Sequence, residues 1–255
     1  MTAATLFSGS GGNSFFISTG NVGILIDAGV SMRRINNALK GLGYSLDDIS
    51  AIFITHEHID HIRALESISK KYNIDIHMTE KCARSIISDT SSPLCPHLIA
   101  YKDKISANIG DIFVSSFKTS HDAVDPVGYV IDAGGTRIGI ATDTGYVTDE
   151  MESALCTCRA AVIEANHDTK MLMSGPYPYS LKCRIMSKTG HLSNDDAAML
   201  SKKLYQSGTR SILLSHMSGE NDLPSIAIST IRSAVGDDML IEVAKADEPT
   251  MLNII

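Results

Sequence analysis

The stretch 52-IFITHEHIDHIRAL-65 decides how the chain is interpreted. It places His56, His58, Asp60 and His61 within six residues, in a chain that has 9 histidines in total. An apolar run that is typical of a buried strand precedes this cluster, and apolar residues at helical spacing follow it. Because ligands bind at the carboxyl ends of strands in open α/β sheets, the position predicts a ligand site rather than a solvated charged turn.

The spacing within the cluster narrows the kind of ligand. The zinc-protease helix H-E-x-x-H is excluded, because Asp60 stands where that motif needs its second histidine. In an extended turn, His56 and His58 point the same way and can bind one cation. Asp60 and His61 come as the helix starts and point elsewhere, towards a second cation. Imidazole and carboxylate ligands together suit zinc, iron or manganese.

Composition excludes several classes of protein. The chain has 255 residues, of which 44% are apolar and 20% charged, as is ordinary for a globular protein. No shift in composition marks a linker, so residues 1–255 are interpreted as a single domain. No apolar run approaches the ~20 residues of a membrane span, so no membrane partner is expected. The net charge of −7 argues against a broad basic surface for nucleic acid, although it leaves room for a local basic groove.

The cysteines and the N-terminus indicate a cytoplasmic protein. The 5 cysteines are odd in number and form no C-x-x-C pair, which is typical of reduced thiols. The first residues, MTAATLFSGSGG, lack the basic start and the apolar core of a signal peptide. The sequence leaves the oligomeric state open.

Two hairpins and two similar segments predict the architecture. The residues around Gly20-Asn21 and around Gly134-Gly135 are typical of hairpin turns between strands. The segments GILIDAG (23–29) and IGIATDTG (138–145) echo each other and indicate two similar halves. Two such halves packed sheet on sheet, with helices outside, make an α/β protein, a four-layer αββα sandwich.

The spacing H-x-H-x-D-H resembles the signature of the metallo-β-lactamase superfamily, which has this αββα fold. Three later strand ends match its remaining motifs, namely His121 in KTSHDA, Asp143 in ATDTG and His216 in LLSHMS. The resemblance implies two divalent metal ions, zinc or manganese, with iron as a further candidate. It assigns His56, His58 and His121 to one ion, Asp60, His61 and His216 to the other, and Asp143 as the bridge.

Two carboxylates have further roles under this resemblance. Asp60 is assigned to catalysis as well as to metal binding. Asp27, in ILIDAG, matches a family carboxylate that orients the histidine turn without binding a metal. The alternative for Asp27 is an aspartate that merely begins a turn at a strand end. The other histidines, His77, His97 and His167, are interpreted as structural or exposed.

Two segments of the second half point to phosphodiester chemistry. EANHD (164–168) and KTGHLSND (188–195) resemble the segments of ribonuclease Z whose glutamate and histidine assist the leaving group. Glu164 and His191 match these two positions, although the order of letters around Glu164 is changed. The alternative for the second segment is a helix start, with Ser193 or Asn194 as the cap.

Two further segments are candidates for contact with a substrate. In GPYPYSLKCRI (175–185), Tyr177 and Tyr179 stand close to Lys182 and Arg184, and this combination of aromatic rings and cations suits a nucleic-acid strand. The alternative is an ordered loop whose tyrosines pack inward. In the glycine-rich SGSGGNS (8–14), Ser10 and Asn13 are candidates for phosphate contact, and a plain turn is the alternative.

Together these motifs resemble the YycJ/WalJ family of metallo-β-lactamase-fold proteins. The resemblance implies a nuclease with 5′-to-3′ exonuclease activity, with DNA favoured over RNA as the substrate. It also implies a hydroxide, shared by two cations, as the nucleophile. The alternative function is a small-molecule metallohydrolase, such as a phosphodiesterase of a cyclic ribose phosphate; a lactonase or thioesterase has less use for His191 and a basic segment.

Overall fold

Two mixed sheets form the centre of the molecule. A computed structural model describes residues 1–87 and 92–254 and gives fourteen strands within them. In chain order the strands are β1 (Thr2–Phe7), β2 (Ser14–Ser18), β3 (Gly23–Ile26), β4 (Ile49–Phe53), β5 (Asp75–Thr79), β6 (Leu98–Tyr101), β7 (Ser106–Ile109), β8 (Ile112–Lys118), β9 (Val127–Ala133), β10 (Thr136–Ala141), β11 (Ala160–Glu164), β12 (Ser211–Ser215), β13 (Leu240–Val243) and β14 (Thr250–Met251). The first sheet has the order β14-β1-β2-β3-β4-β5-β6, and the second has the order β13-β12-β11-β10-β9-β8-β7.

Helices cover the outer faces of both sheets. In chain order they are α1 (Met32–Gly41), α2 (Ile59–Ile62), α3 (Leu65–Ser69), α4 (Glu80–Ile86), α5 (Asp149–Leu155), α6 (Thr169–Ser174), α7 (Tyr179–Ile185), α8 (Asn194–Ser207) and α9 (Pro224–Val235), with short 3₁₀ turns at Leu46–Asp48 and Cys95–His97. None of the helices within the described ranges has the length and apolar character needed to cross a membrane.

Three apolar layers hold the sandwich together. Between the sheets, side chains such as Phe53 and Tyr129 are fully buried, and their rings pack edge to face with centroids 5.8 Å apart. A second layer joins the first sheet to α1, α3 and α4, and a third joins the second sheet to α5, α8 and α9. The prediction of a four-layer αββα sandwich is therefore confirmed.

The two halves echo each other in space as well as in sequence. The similar segments become β3 and β10, and each is the fourth of seven strands in its sheet. The predicted turn at Gly134-Gly135 joins β9 to β10, and both glycines have positive φ, as a two-residue type I′ hairpin turn requires. Each half thus places a central strand whose carboxyl end faces the same edge of the molecule as the histidine cluster.

The helix predicted after the histidine cluster is interrupted, as α2 and α3. The carbonyl of Asp60 accepts from the N–H of Asn13 at 2.8 Å, and the carbonyl of His61 accepts from the N–H of Ala28 at 2.7 Å. Ala64 donates to the carbonyl of Ala28 instead of to the previous turn. Because neighbouring loops use these backbone groups, a continuous helix cannot form.

The alternative of an ordered loop over residues 175–185 is correct for residues 175–178 and wrong for the rest. Residues from Tyr179 onward form α7, and Pro178 caps its start. Proline suits this place, because the first backbone N–H groups of a helix have no acceptor within the helix. Ser193 caps α8 by accepting from the N–H of Asp196, as one of the two alternatives for that segment had expected.

Candidate metal centre

The predicted ligands lie at the carboxyl ends of strands from both sheets. In the first sheet, Asp27 follows β3 and the segment 55–61 follows β4; in the second, His121 follows β8, Asp143 follows β10, Glu164 ends β11 and His216 follows β12. His191 lies between α7 and α8. Since these strand ends meet along one edge of the sandwich, side chains far apart in sequence come together there.

Three of these residues have a left-handed backbone. Asp27, Asp143 and His216 have φ of 62°, 54° and 55°, and no other non-glycine residue in the described ranges has positive φ. This conformation is uncommon for a residue with a Cβ, although aspartate tolerates it better than most. All three stand at or just after the end of a strand, so the sharp backbone turn aims each side chain into the site.

Asp27 and Thr55 fix the orientation of two histidines. Nδ1 of His61 donates to Oδ2 of Asp27 at 2.7 Å. The hydroxyl of Thr55 donates to the same oxygen at 2.8 Å, so at 3.0 Å it accepts from Nδ1 of His56. Both rings therefore carry their hydrogen on Nδ1 and leave the lone pair of Nε2 towards the site. The contacts fit the orienting role that the resemblance implies for Asp27.

Two histidines of the second half are oriented in the same way. Nδ1 of His121 donates to the carbonyl of Gly190 at 3.1 Å, and Nδ1 of His216 lies 2.9 Å from Oε1 of Glu164. A carbonyl and a carboxylate can only accept, so Nδ1 carries the hydrogen in both rings. Their Nε2 atoms lie 3.9 Å and 3.4 Å from Oδ1 of Asp143.

Asp143 is surrounded by acceptor atoms. Its Oδ2 lies 3.3 Å from Nε2 of His61 and, like Nε2 of His216, is buried without a hydrogen bond. Two lone pairs that face each other at this distance repel unless a proton or a metal cation lies between them. Buried polar atoms that lack a partner are rare in proteins. The donor set therefore fits a divalent cation with nitrogen and oxygen ligands.

The ligand atoms form overlapping groups in which every atom lies within 4.8 Å of the others. The groups are His56, His58 and His121; Asp60, His61 and His216; His56, His61 and Asp143; and Asp143, Glu164, His191 and His216. The first two groups contain the residues that the sequence assigns to the two metals. Asp143 belongs to both remaining groups, as expected of a bridging carboxylate.

Burial and neighbouring charges shift the pKa values of the histidines and of Asp143 in the site. Burial lowers the pKa of His56 and of His121, so both rings favour the neutral form that a metal ligand needs. Burial also opposes charge on His61 and His216, but the nearby carboxylates outweigh it and raise both pKa values. Burial of Asp143 is likewise outweighed by His216 and His61, which hold its pKa well below the usual range. Positive charge on His61 and His216 is thus favoured beside the ionised carboxylate of Asp143.

Glu164 and His191 form a buried ion pair beside this centre. Nδ1 of His191 lies 2.8 Å from Oε1 of Glu164, and the N–H groups of Thr144 and Leu192 donate to Oε2. Burial of the carboxyl is outweighed by His191 and His216, which lower the pKa of Glu164 to about 2. Burial of the imidazole is outweighed by Glu164, which raises the pKa of His191 to about 9. The carboxylate of Glu164 therefore favours the protonated form of His191.

A cleft of about 220 Å³ opens beside the histidines, and α7 forms part of its wall. Arg184 lines this cleft, and its guanidinium lies 2.6 Å from the carboxylate of Asp122. The structure does not bring Lys182 into the cleft, because the side chain is buried and its ammonium donates to the carbonyls of Met173 and Gly175. Tyr179 is also outside the cleft and is 73% exposed.

The two candidates in the glycine-rich segment have different surroundings. Ser10 is exposed and lines the cleft. Asn13 is buried, accepts from the N–H of Gly9 at 2.9 Å, and places its amide nitrogen 3.1 Å from Nε2 of His61 and 3.4 Å from Asp60. The contacts of Asn13 fit a residue that positions ligands better than one that holds a substrate.

Sequence reasoning missed three residues of the site. Thr55 links Asp27 to His56, and Asp122 links Arg184 to the neighbourhood of His121. Gly190 passes so close to α7 that a Cβ there would lie 2.2 Å from the carbonyl oxygen of Ile185. Only the adjacency of Thr55 and Asp122 to the histidines, and of Gly190 to His191, could have drawn attention to them.

The remaining histidines lie outside the ligand groups. His77 is buried, stacks on Phe53 and has its Nδ1 2.9 Å from the hydroxyl of Tyr101. His97 is half-buried in a 3₁₀ turn, and His167 is buried beside Ser193. These surroundings agree with the structural role expected for them.

Comparison with known proteins identifies the family. A family model described as a beta-lactamase superfamily domain matches residues 23–217. The exodeoxyribonuclease YycJ of Bacillus anthracis is 34% identical over 224 residues, which cover 88% of this chain and 85% of that protein. The exodeoxyribonuclease WalJ of Streptococcus pneumoniae is 37% identical over 233 residues, which cover 89% of this chain and 85% of that protein.

Solved structures agree on the fold. The metallo-beta-lactamase fold protein YhfI from Bacillus subtilis has a TM-score of 0.72 at 15% identity, and the match covers 98% of each chain. Zinc-bound PqqB from Methylobacterium extorquens has a TM-score of 0.71 at 16% identity, covering 98% of this chain and 99% of that one. The chain therefore belongs to the metallo-β-lactamase superfamily and, within it, to the family of the exodeoxyribonucleases YycJ and WalJ.

Proposed function

We propose that this protein is a metal-dependent exodeoxyribonuclease that removes nucleotides from the 5′ end of DNA. The observation that carries the proposal is the ring of His191, held at 2.8 Å by Glu164, beside the group of ligands around Asp143. A metal centre alone suits many hydrolases, whereas an added proton donor suits a reaction with a poor leaving group such as a sugar oxygen. The names of the 34–37% identical relatives support DNA as the substrate.

The ligand groups would hold two divalent cations, zinc or manganese. His56, His58 and His121 would hold one, Asp60, His61 and His216 the other, and Asp143 would contact both. Bound there, such cations supply Lewis acidity that activates water and neutralises charge on phosphate oxygens. Four of the ligand rings are oriented in advance, because Asp27, Thr55, Gly190 and Glu164 fix the hydrogen on Nδ1 of His61, His56, His121 and His216, in that order.

His191 is proposed to donate the proton that the departing 3′ oxygen needs. Glu164 holds Nδ1 of the ring at 2.8 Å, which leaves Nε2 as the donor to the substrate. The raised pKa of His191 favours the protonated ring, which can give up its proton as negative charge develops on the oxygen. Glu164 therefore acts through His191 and through His216, the ring on its other side, and its role is to position both.

Digestion of DNA labelled separately at each end tests the proposal. With manganese or zinc present, the 5′ label should appear first as mononucleotide, while the 3′ label stays in shortening fragments. A His56→Ala variant purified in parallel controls for contaminating nucleases. Release of the 3′ label first would overturn the direction. Inert DNA together with rapid hydrolysis of a 2′,3′-cyclic nucleotide would favour the small-molecule alternative.

A further inference from the structure

The cleft beside the metal centre has an apolar wall that has no role in the proposed hydrolysis. Tyr177, Leu181 and Ile185 line one side of it, and Met217 lines it next to His216. All four side chains are only half-buried, so they present apolar surface to whatever enters the cleft. His121, His191 and His216 line the same cleft, so its occupant would adjoin the reacting atoms.

We infer that this cleft is a subsite for one nucleoside, the one whose 3′ oxygen leaves, with its base against Tyr177. The inference rests on the proposed function. An aromatic ring flanked by aliphatic side chains and a guanidinium suits a nucleobase, because every base has a face that stacks and edges that accept hydrogen bonds. The guanidinium is that of Arg184, whose side chain is 63% exposed and paired with Asp122.

The size of the cleft limits the occupant. At about 220 Å³ it is smaller than the ~300–1,000 Å³ of sites for drug-sized ligands. It therefore suits one nucleoside and not several. In hydrolysis from the 5′ end, the bond between phosphorus and the 3′ oxygen of the terminal nucleotide breaks, and the oxygen takes a proton while water adds hydroxide to phosphorus. A terminal nucleoside seated beside His191 places that oxygen next to the donor.

The wall is held in a fixed position. The N–H of His191 donates to the carbonyl of Ile185 at 2.9 Å, and Gly190 leaves no room between this segment and α7. At the other end, the ammonium of Lys182 donates to Met173 and Gly175 at 2.7 and 2.8 Å, which ties α7 to the end of α6. The base-binding face and the proton donor are thus joined by direct hydrogen bonds, so little conformational freedom is lost when a base binds.

Two oligonucleotides that differ only in the terminal base test the subsite. One carries thymidine at its 5′ end, and the other carries a tetrahydrofuran abasic residue there, so the bond and the leaving oxygen are the same. We expect the wild-type protein to remove the thymidine about 10-fold faster in kcat/KM, the size of one base–aromatic stack. Tyr177→Ala should abolish this difference, while Tyr177→Phe should retain it. Tyr179→Ala, an exposed tyrosine nearby, is the matched control and should also retain it.

The outcomes separate the subsite from the nuclease proposal. Equal rates on the two oligonucleotides, or a preference that survives Tyr177→Ala, would overturn the subsite and leave the nuclease intact. If DNA is not cut at all, the nuclease proposal fails. Calorimetric titration with thymidine 5′-monophosphate then decides the subsite: binding that Tyr177→Ala weakens about 10-fold and Tyr179→Ala does not would support it, and absence of binding would overturn it.

Discussion

His61 donates from Nδ1 to Oδ2 of Asp27 at 2.7 Å, and both side chains are buried. Asp27 directly follows β3, a central strand of the first sheet, and precedes the ring that it orients by 34 residues. The pair fixes which nitrogen of His61 faces the site, and Asp27 can do so without contacting a metal. Asp27 therefore sets the orientation of a proposed metal ligand without being a ligand itself.

Asp27→Asn should weaken metal binding without removing a ligand. The carboxylate accepts from Nδ1 of His61 and the hydroxyl of Thr55 on one oxygen and from the N–H of Thr55 on the other. An amide has only one acceptor oxygen, so one of these donors would lose its partner and the ring would be held less firmly. We expect the affinity for zinc to fall roughly 10–100-fold, measured by competition with a chromogenic chelator. Asp75→Asn, which changes an exposed carboxylate at the start of β5, should leave the affinity unchanged. Equal zinc affinity in Asp27→Asn and wild type would contradict the orienting role.

Asp143→Asn should remove the proposed bridge while the fold survives. Asparagine has the same shape and tolerates the left-handed backbone at φ 54°, but it lacks the charge shared by both ligand groups. Activity should fall by at least ~10²-fold, since even residues that only orient a ligand contribute 10–100-fold. Elemental analysis should show less than the full metal content, and circular dichroism should confirm the fold. A folded variant with wild-type turnover would place the bridge elsewhere.

His191→Ala should affect substrates according to their leaving group. Turnover of DNA should fall roughly 10²–10⁴-fold, as for the loss of a general acid. A nitrophenyl phosphodiester should lose much less, because nitrophenolate leaves without a proton. His97→Ala, before the edge strand β6, serves as the control and should change neither rate. Equal losses on both substrates would indicate that His191 binds phosphate instead of donating a proton.

The ion pair of Glu164 and His191 should give the metal-free protein a pH-dependent stability. The pKa of His191 is raised from 6.5 to about 9, so its contribution is complete below pH 6.5 and is lost as the pH rises through 9. The pKa of Glu164 is lowered from 4.5 to about 2, so its contribution is complete above pH 4.5 and is lost as the pH falls through 2. With EDTA present, the Tm difference between wild type and His191→Gln should be largest between pH 4.5 and 6.5 and should shrink towards pH 9. A difference that stays constant up to alkaline pH would argue against the pair.

Substitution of Arg184 should change DNA binding, whereas substitution of Lys182 should change stability. Arg184→Ala should weaken DNA binding and lower the slope of log affinity against log salt by about one, because an exposed cation at the cleft is lost. Lys203→Ala, on α8 and paired with Glu152, makes the same charge change outside the cleft and should keep the slope.

Lys182→Met should instead act on stability. It keeps the apolar stem of a buried side chain but leaves two carbonyls without their donor, so the free energy of unfolding should fall by about 1–3 kcal/mol in urea titration. The salt dependence of DNA binding should remain that of the wild type. A lower slope in Lys182→Met with unchanged stability would restore Lys182 as a substrate contact.

Much of this architecture could be predicted because the signals are local. The turn at Gly134-Gly135, the cap at Ser193 and the cluster after β4 are each decided by residues within a few positions of one another. The metal-ligand assignment itself stays a prediction, although the structure gathers all of its residues.

The misplaced features depend on partners far away in the chain. The helix after His61 is interrupted because the N–H groups of Asn13 and Ala28, from earlier loops, donate to carbonyls that a continuous helix would use for its own hydrogen bonds. Arg184 forms an ion pair with Asp122, which is 62 residues away in sequence, so no local pattern could reveal the contact. Lys182 has a charge that suggests a surface role, yet its acceptors are two carbonyls at the end of the preceding helix.

The left-handed backbone at Asp27, Asp143 and His216 has a consequence for how such proteins diverge. Glycine would adopt each of these conformations without strain, so the backbone conformation alone would favour glycine at all three positions. Aspartate and histidine persist there only while their side chains are needed. A descendant that lost its chemistry would be free to become more stable by mutation at these sites. Glycine at the three strand ends would then identify, from sequence alone, a relative that keeps the fold but has lost the activity.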